Sequence, residues 1–210
     1  MKKTVLTLIA LLVSPGLVHA GDAAVTWQTA TEILARIKAP QFPARDFAIT
    51  DYGAVAGGTT DATAAITQAI AACSAAGGGR VVVPAGVFLT GAIHLKSNVN
   101  LHVSEGATLL FRTDPAAYLP VVHTRWEGTE CMNYSAFIYA WEQENISVTG
   151  TGTLDGQASN DNWWGWAVKG PDKASRATPD VKALNALADK GVPVAQRVFG
   201  EGHFLVVPVS

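Results

Sequence analysis

The sequence is poor in cysteine, in charge and in long apolar runs. Its 210 residues hold two cysteines, Cys73 and Cys131, enough for one bridge or two free thiols and too few for a disulfide-built scaffold. Charged residues make up 15% of the chain and nearly balance, 15 Lys+Arg against 17 Asp+Glu. That balance excludes a strongly basic polymer binder, so neither nucleic acid nor an anionic membrane is an expected partner. No Cys-x-x-Cys, His-x-x-x-His or calcium-loop aspartate series occurs, and no metal or cofactor is expected. What the chain has in quantity is apolar residues, 49%, and 20 glycines. Such a composition folds, and its fold must tolerate many glycines.

The front of the chain reads as an export signal over residues 1–20. Lys2 and Lys3 give the positive start, residues 4–13 form a short apolar run, and Val18-His19-Ala20 ends in small residues suited to cleavage. The run is short for a permanent membrane helix, which is the competing reading. Cleavage leaves 190 residues with 13 basic and 17 acidic groups, and a secreted or periplasmic location is expected. Asn145-Ile146-Ser147 formally fits a glycosylation acceptor but carries little weight beside a signal of bacterial type.

Residues 21–45 form a lead-in with weak helical periodicity at Ile33, Leu34 and Ile37, broken by Pro40 and Pro43. Residues 60–76 are predicted as a helix. Ile66, Ala69, Ile70 and Cys73 make one apolar stripe, Thr60 or Asp61 caps the start, and Gly77 stops it. The period then changes from 3.6 to 2, and the pattern repeats. Val81-Val82-Val83-Pro84-Ala85-Gly86-Val87-Phe88-Leu89 is followed twenty residues later by Leu101-His102-Val103-Ser104-Glu105-Gly106-Ala107-Thr108-Leu109, with a looser echo at residues 146–154. A repeat of about 20 residues with glycine corners predicts a solenoid in which Val81, Val83, Leu89, Leu101, Val103 and Leu109 stack inward. The helix would cover the first coil's open edge. A β-sandwich is the alternative arrangement of such strands.

Asp51-Tyr52-Gly53-Ala54, Thr60-Asp61 and Gly77-Gly78-Gly79-Arg80-Val81-Val82-Val83-Pro84-Ala85-Gly86 resemble the opening of pectin-degrading β-helix proteins. The stretches 89–99, 106–111, Thr149-Gly150-Thr151-Gly152-Thr153-Leu154-Asp155-Gly156-Gln157 with Trp163-Trp164, and 197–205 are similar to glycoside hydrolase family 28, the polygalacturonase family. The resemblance implies an all-β, single-stranded right-handed parallel β-helix of the pectin lyase-like kind, with an N-terminal capping helix. The β-helix part would run over residues 46–205, with a helical insertion at 178–191 and a divergent tail at 206–210. It implies hydrolysis of α-1,4-galacturonosyl bonds in pectin or polygalacturonate with inversion, by a protein that is a monomer when full length. The family works through an Asn-x-Asp motif, an Asp-Asp pair, a Gly-His-Gly histidine and an Arg-x-Lys motif. None of the four is expected within the chain, and all are expected beyond Ser210, so the chain is read as a truncated, inactive portion with no catalytic residue of its own. A lyase or a non-catalytic carbohydrate-binding β-helix are the alternatives on the same fold.

Five residues are candidates for substrate binding. Arg125, Trp126 and Glu127 fall in a long stretch between coils, where an arginine can meet a galacturonate carboxylate or simply pair with Glu127 or Glu130. Trp163 belongs to the cluster Trp163-Trp164-Gly165-Trp166, whose rings suit either a sugar face or the coil wall. His203 can face a cleft or serve as a hydrogen-bonded structural residue. Asp155 reads as a turn residue, and His94 and His102 as outward strand positions.

Overall fold

The computed structural model describes residues 26–167 and 175–205, and the predicted signal segment 1–20 and tail 206–210 lie outside the described residues. The chain divides into two compact units between Ala39 and Pro40, six residues before the end of the predicted lead-in. In the first unit helix α1 (Trp27–Arg36) follows Thr26, whose backbone N–H donates to the Thr29 hydroxyl at 3.3 Å.

The second unit opens with strand β1 (Asp46–Ala48), helix α2 (Thr63–Ala75) and strands β2 (Gly79–Val83), β3 (Gly86–Thr90) and β4 (Ile93–His94). It continues with β5 (Val99–Val103), β6 (Ala107–Phe111), β7 (Val122–Trp126), β8 (Thr129–Asn133) and β9 (Ile138–Tyr139). After β10 (Ser147–Gly150) and β11 (Thr153–Asp155) come the short helix α3 (Trp163–Ala167), helix α4 (Thr178–Asp189) and β12 (Val198–Phe199). Successive coils build three parallel sheets, ordered β1-β2-β5-β10, β3-β6-β11 and β4-β9. This is a right-handed parallel β-helix.

Side-chain alternation decides what enters the coil. Val81 and Leu101 stack in register, as do Val83 and Val103, and all four are buried. In the second sheet the structure corrects the sequence alignment. Phe88, not Leu89, pairs with Leu109 and is buried, while Leu89 is half-buried and pairs with Leu110. The repeat is 20 residues in the first sheet and 21 in the second, and one residue of slip exchanges the two faces of a strand. The looser echo is likewise displaced, since Val148 rather than Ile146 follows Leu101. Val148 and Leu154 are in register with the fully buried Leu101 and Leu109 yet stay 44% and 47% exposed. Among the described residues β10 and β11 have a partner strand on one side only.

Helix α2 begins at Thr63, three residues later than predicted, and buries Ile66, Ala69, Ile70 and Cys73 against the core. Ala62 rather than Thr60 or Asp61 holds the N-cap position, while the Asp61 side chain serves the first turn. Its Oδ1 accepts the Thr63 N–H at 2.8 Å and the Thr63 hydroxyl, and its Oδ2 accepts from Arg112 at 2.9 Å. Burial pushes the Asp61 carboxyl up, but hydrogen bonds from Thr63 and Arg112 outweigh it and hold the group below the usual carboxylate range. Gly77, at φ +84°, closes the helix. At the next corner Gly78 (φ +104°) would place a Cβ 2.6 Å from the Asn98 carbonyl oxygen, so only glycine fits. Asn98 and Asn145 stack at equivalent corners, with Asn145 donating to Asn98 Oδ1 and Gln41 O at 2.9 Å and accepting the Gln41 N–H at 3.2 Å. The Asn145 amide is therefore spent on the coil, which argues against the glycosylation reading. Cys73 and Cys131 are both buried free thiols, each pushed up by burial.

Candidate active-site face

The stretch between β6 and β9, predicted as a loop, contains the antiparallel hairpin β7–β8. Its two-residue connection, Glu127-Gly128, has φ of +44° and +90°, the pattern of a type I′ turn. Glu127 therefore sits at the exposed tip. The hairpin is two-faced. Trp126 and Cys131 face a cluster formed by Leu184 of α4, Phe199 of β12 and Leu205. His123, Arg125 and Glu130 occupy the other face, where Glu130 Oε1 lies 3.4 Å from Arg125 Nη2 and 3.7 Å from His123 Nε2. The Arg125 side chain is 69% exposed, so most of its guanidinium donors remain in solvent.

Helix α4 carries the second feature. It runs over Thr178–Asp189, two residues shorter than predicted, with Ala177 at the N-cap position and Pro179 in the first turn. Asp180, in that first turn, turns both carboxylate oxygens to the loop at residues 200–204. Oδ1 is 2.7 Å from His203 Nδ1, and Oδ2 accepts the Phe204 N–H at 2.6 Å. The His203 ring stands edge-on to Phe199 with centroids 5.2 Å apart, leaving Nε2 as its free nitrogen. The Arg176 guanidinium lies 3.5 Å over the Phe204 ring, which meets Trp166 edge-to-face.

The five predicted residues thus fare differently. Arg125 and His203 present polar groups to solvent, Glu127 tips the turn, and Trp126 faces the cluster beneath the hairpin. Trp163 is 1% exposed, donates its indole N–H to Gly156 O at 3.1 Å and packs among Tyr118, Phe137 and Trp166. Its neighbour Trp164 is the exposed ring of that cluster. Sequence reasoning missed Asp180 and His123, whose partners are 23 and seven residues away and come together only on folding. Asp155 Oδ1 accepts the Gln157 N–H at 2.8 Å, as a turn residue does. An Arg-x-Lys tripeptide does occur, Arg36-Ile37-Lys38, which corrects the expectation of none. It precedes the coils in the chain, whereas the family order places that motif after them.

Residues 47–106 match the family described as rhamnogalacturonase A/epimerase, pectate lyase-like. The chain is 36% identical over 151 residues, 68% of its own length and 24% of the relative's, to an exo-poly-alpha-D-galacturonosidase of Dickeya chrysanthemi. It is 34% identical over 146 residues, 62% of this chain and 7% of the relative, to a mannuronan C5-epimerase of Azotobacter vinelandii. Among solved structures, an exopolygalacturonase from Thermotoga maritima superposes with a TM-score of 0.81 at 46% identity, covering 85% of this chain and 41% of that one. The chain therefore spans less than half the length of these relatives. By sequence and by fold it belongs with the polygalacturonases of glycoside hydrolase family 28, among the pectate-lyase-like β-helix proteins.

Proposed function

We propose that this chain serves a polygalacturonase-type glycoside hydrolase, an exported protein that binds the galacturonate polymer of pectin for inverting hydrolysis of its α-1,4 bonds. The observation that carries the reading is the 46% identity over 85% of this chain with a solved exopolygalacturonase, which also favours action at chain ends. Inverting hydrolysis needs two carboxyls about 6.5–9.5 Å apart around a water. The family's Asn-x-Asp, Asp-Asp and Gly-His-Gly motifs occur nowhere in the 210 residues, so the role of this stretch is to bind and orient the polymer. In that role Arg125 and His203 contact the polymer and Glu127 flanks it. Trp126 and Trp163 hold in place the elements that carry them.

The test is to incubate the purified polypeptide with polygalacturonate while following binding, new reducing ends and unsaturated products. Binding without turnover is the expected result. Absence of binding overturns the reading, new reducing ends place catalytic carboxyls within this sequence, and unsaturated products make the protein a lyase.

A further inference from the structure

The third sheet carries a row of outward side chains beside the hairpin. Ile93 and Ile138 point inward, so their successors His94 and Tyr139 point outward and stand tilted at 5.2 Å. The ladder continues beyond β4, because the Leu95 N–H donates to the Tyr139 carbonyl at 2.8 Å. That pairing sets Leu95 opposite Ala140, and Lys96 and Trp141 follow them in the chain as the ladder ends. Leu95 is buried and Lys96 exposed, as the alternation requires. The hairpin closes on this row from the side. The Tyr139 hydroxyl donates to the His123 carbonyl at 2.8 Å, and the His123 ring meets Trp141 edge-on, with centroids 4.1 Å apart.

Trp141 is 48% exposed, yet its backbone is fixed. The Gln143 side chain donates to the Trp141 carbonyl at 2.9 Å and accepts the Ser97 N–H at 2.8 Å, stapling this turn to the preceding coil. An immobilised indole in water loses little entropy on covering, and its face suits the C–H face of a pyranose. Two cations stand on the neighbouring segments. Lys96 makes no salt bridge among the described residues, and Arg125 lies two residues beyond His123 on the same face of the hairpin with most of its donors free.

We propose that Lys96, Trp141, His123 and Arg125 form a subsite for one uronate residue of an acidic polysaccharide. The indole stacks on the sugar ring, and the two cations take its carboxylate and a neighbouring one. The assignment rests on the galacturonan reading above only for which uronate is bound, since the aromatic and charged groups recognise the class.

Binding of tri- and tetragalacturonate, their methyl esters and the corresponding mannuronate oligomers is measured calorimetrically on the 210-residue chain and its variants. Trp141→Ala should weaken uronate binding about tenfold, the equivalent of 1.4 kcal/mol, and Trp141→Phe should recover most of it. Lys96→Gln combined with Arg125→Gln should erase the preference for the free acid over the ester. Far-UV circular dichroism checks that each variant keeps its fold. Galacturonate binding that none of these variants alters overturns the subsite and leaves the galacturonan reading standing. Trp141-dependent binding of mannuronate alone supports the subsite and overturns galacturonan as the polymer. No binding of any uronate overturns both.

Discussion

Replacing Asp180 by alanine tests whether helix α4 and the loop bearing His203 form one unit. The carboxylate accepts two short hydrogen bonds, from His203 Nδ1 and from the Phe204 backbone N–H, and its side chain is only 14% exposed. Hydrogen bonds to a charged group are worth about 1.5–3 kcal/mol each. The His203 bond belongs at the low end, because that ring is 42% exposed and water can replace its partner. The Phe204 N–H is part-buried and would be stranded. A carboxylate in the first turn of a helix adds about 0.3–1 kcal/mol through the macrodipole. Allowing for non-additivity, Asp180→Ala should cost about 2–4 kcal/mol, a fall in Tm on the order of 5–15 °C for a domain of this size. Asp180→Asn keeps one acceptor and should lose roughly half as much. Thermal unfolding followed by circular dichroism gives the values, and a double-mutant cycle with His203→Ala should show a coupling of about 1 kcal/mol. A loss below about 0.5 kcal/mol for Asp180→Ala, or strict additivity with His203→Ala, would refute the tether.

Two further outcomes concern the coils. Gly150→Ala places a methyl against the Val103 carbonyl oxygen at a φ of +103°, so it should destabilise by more than about 2 kcal/mol in denaturant titrations. Leu109→Ala, at the buried centre of a column, should cost about 2–5 kcal/mol in the same assay. A third concerns acid. Burial pushes the His94 imidazole below its ordinary value, so the folded chain prefers it neutral. The stability this preference supplies is complete above about pH 6.5 and drains away as pH falls through the depressed folded value. A second loss, from the lowered Asp61 carboxyl, begins below about pH 4. Stability measured from pH 8 to pH 5 should fall in wild type and fall less in His94→Gln. Equal slopes would show that His94 is not the group responsible.

Much of the coil architecture was legible because each signal is local. Alternation of Val81, Val83, Leu101 and Val103 fixed the inward face of the first sheet, and the stripe Ile66-Ala69-Ile70-Cys73 fixed the buried face of α2. The second sheet was misread by one residue, because Phe88-Leu89 and Leu109-Leu110 are all apolar and give period two no contrast to register against. The candidate site was legible only in part. Arg125 and His203 could be named as polar groups in irregular stretches, yet Trp126 and Trp163 look the same in sequence whether they meet a sugar or a core. The partners that decide their roles, Leu184, Phe199 and Gly156, are supplied by other elements.

The scarcity of cysteine and of net charge excluded a disulfide scaffold and a basic polymer binder, and the 20-residue repeat marked short strands turned by glycine, with a sandwich still open as the alternative; that much the sequence determined by itself. Local periodicity sets which way a side chain points within its own strand, so it needs no distant partner. Only the tertiary structure decided that the chain between β6 and β9 folds as a hairpin with one face buried and one open. The same holds for Asp180, which ties His203 from another element, and for Tyr139, whose hydroxyl donates to the His123 carbonyl of the hairpin. Those pairings link residues up to 23 positions apart, and which of them meet is settled by coil length and corner geometry rather than by local periodicity.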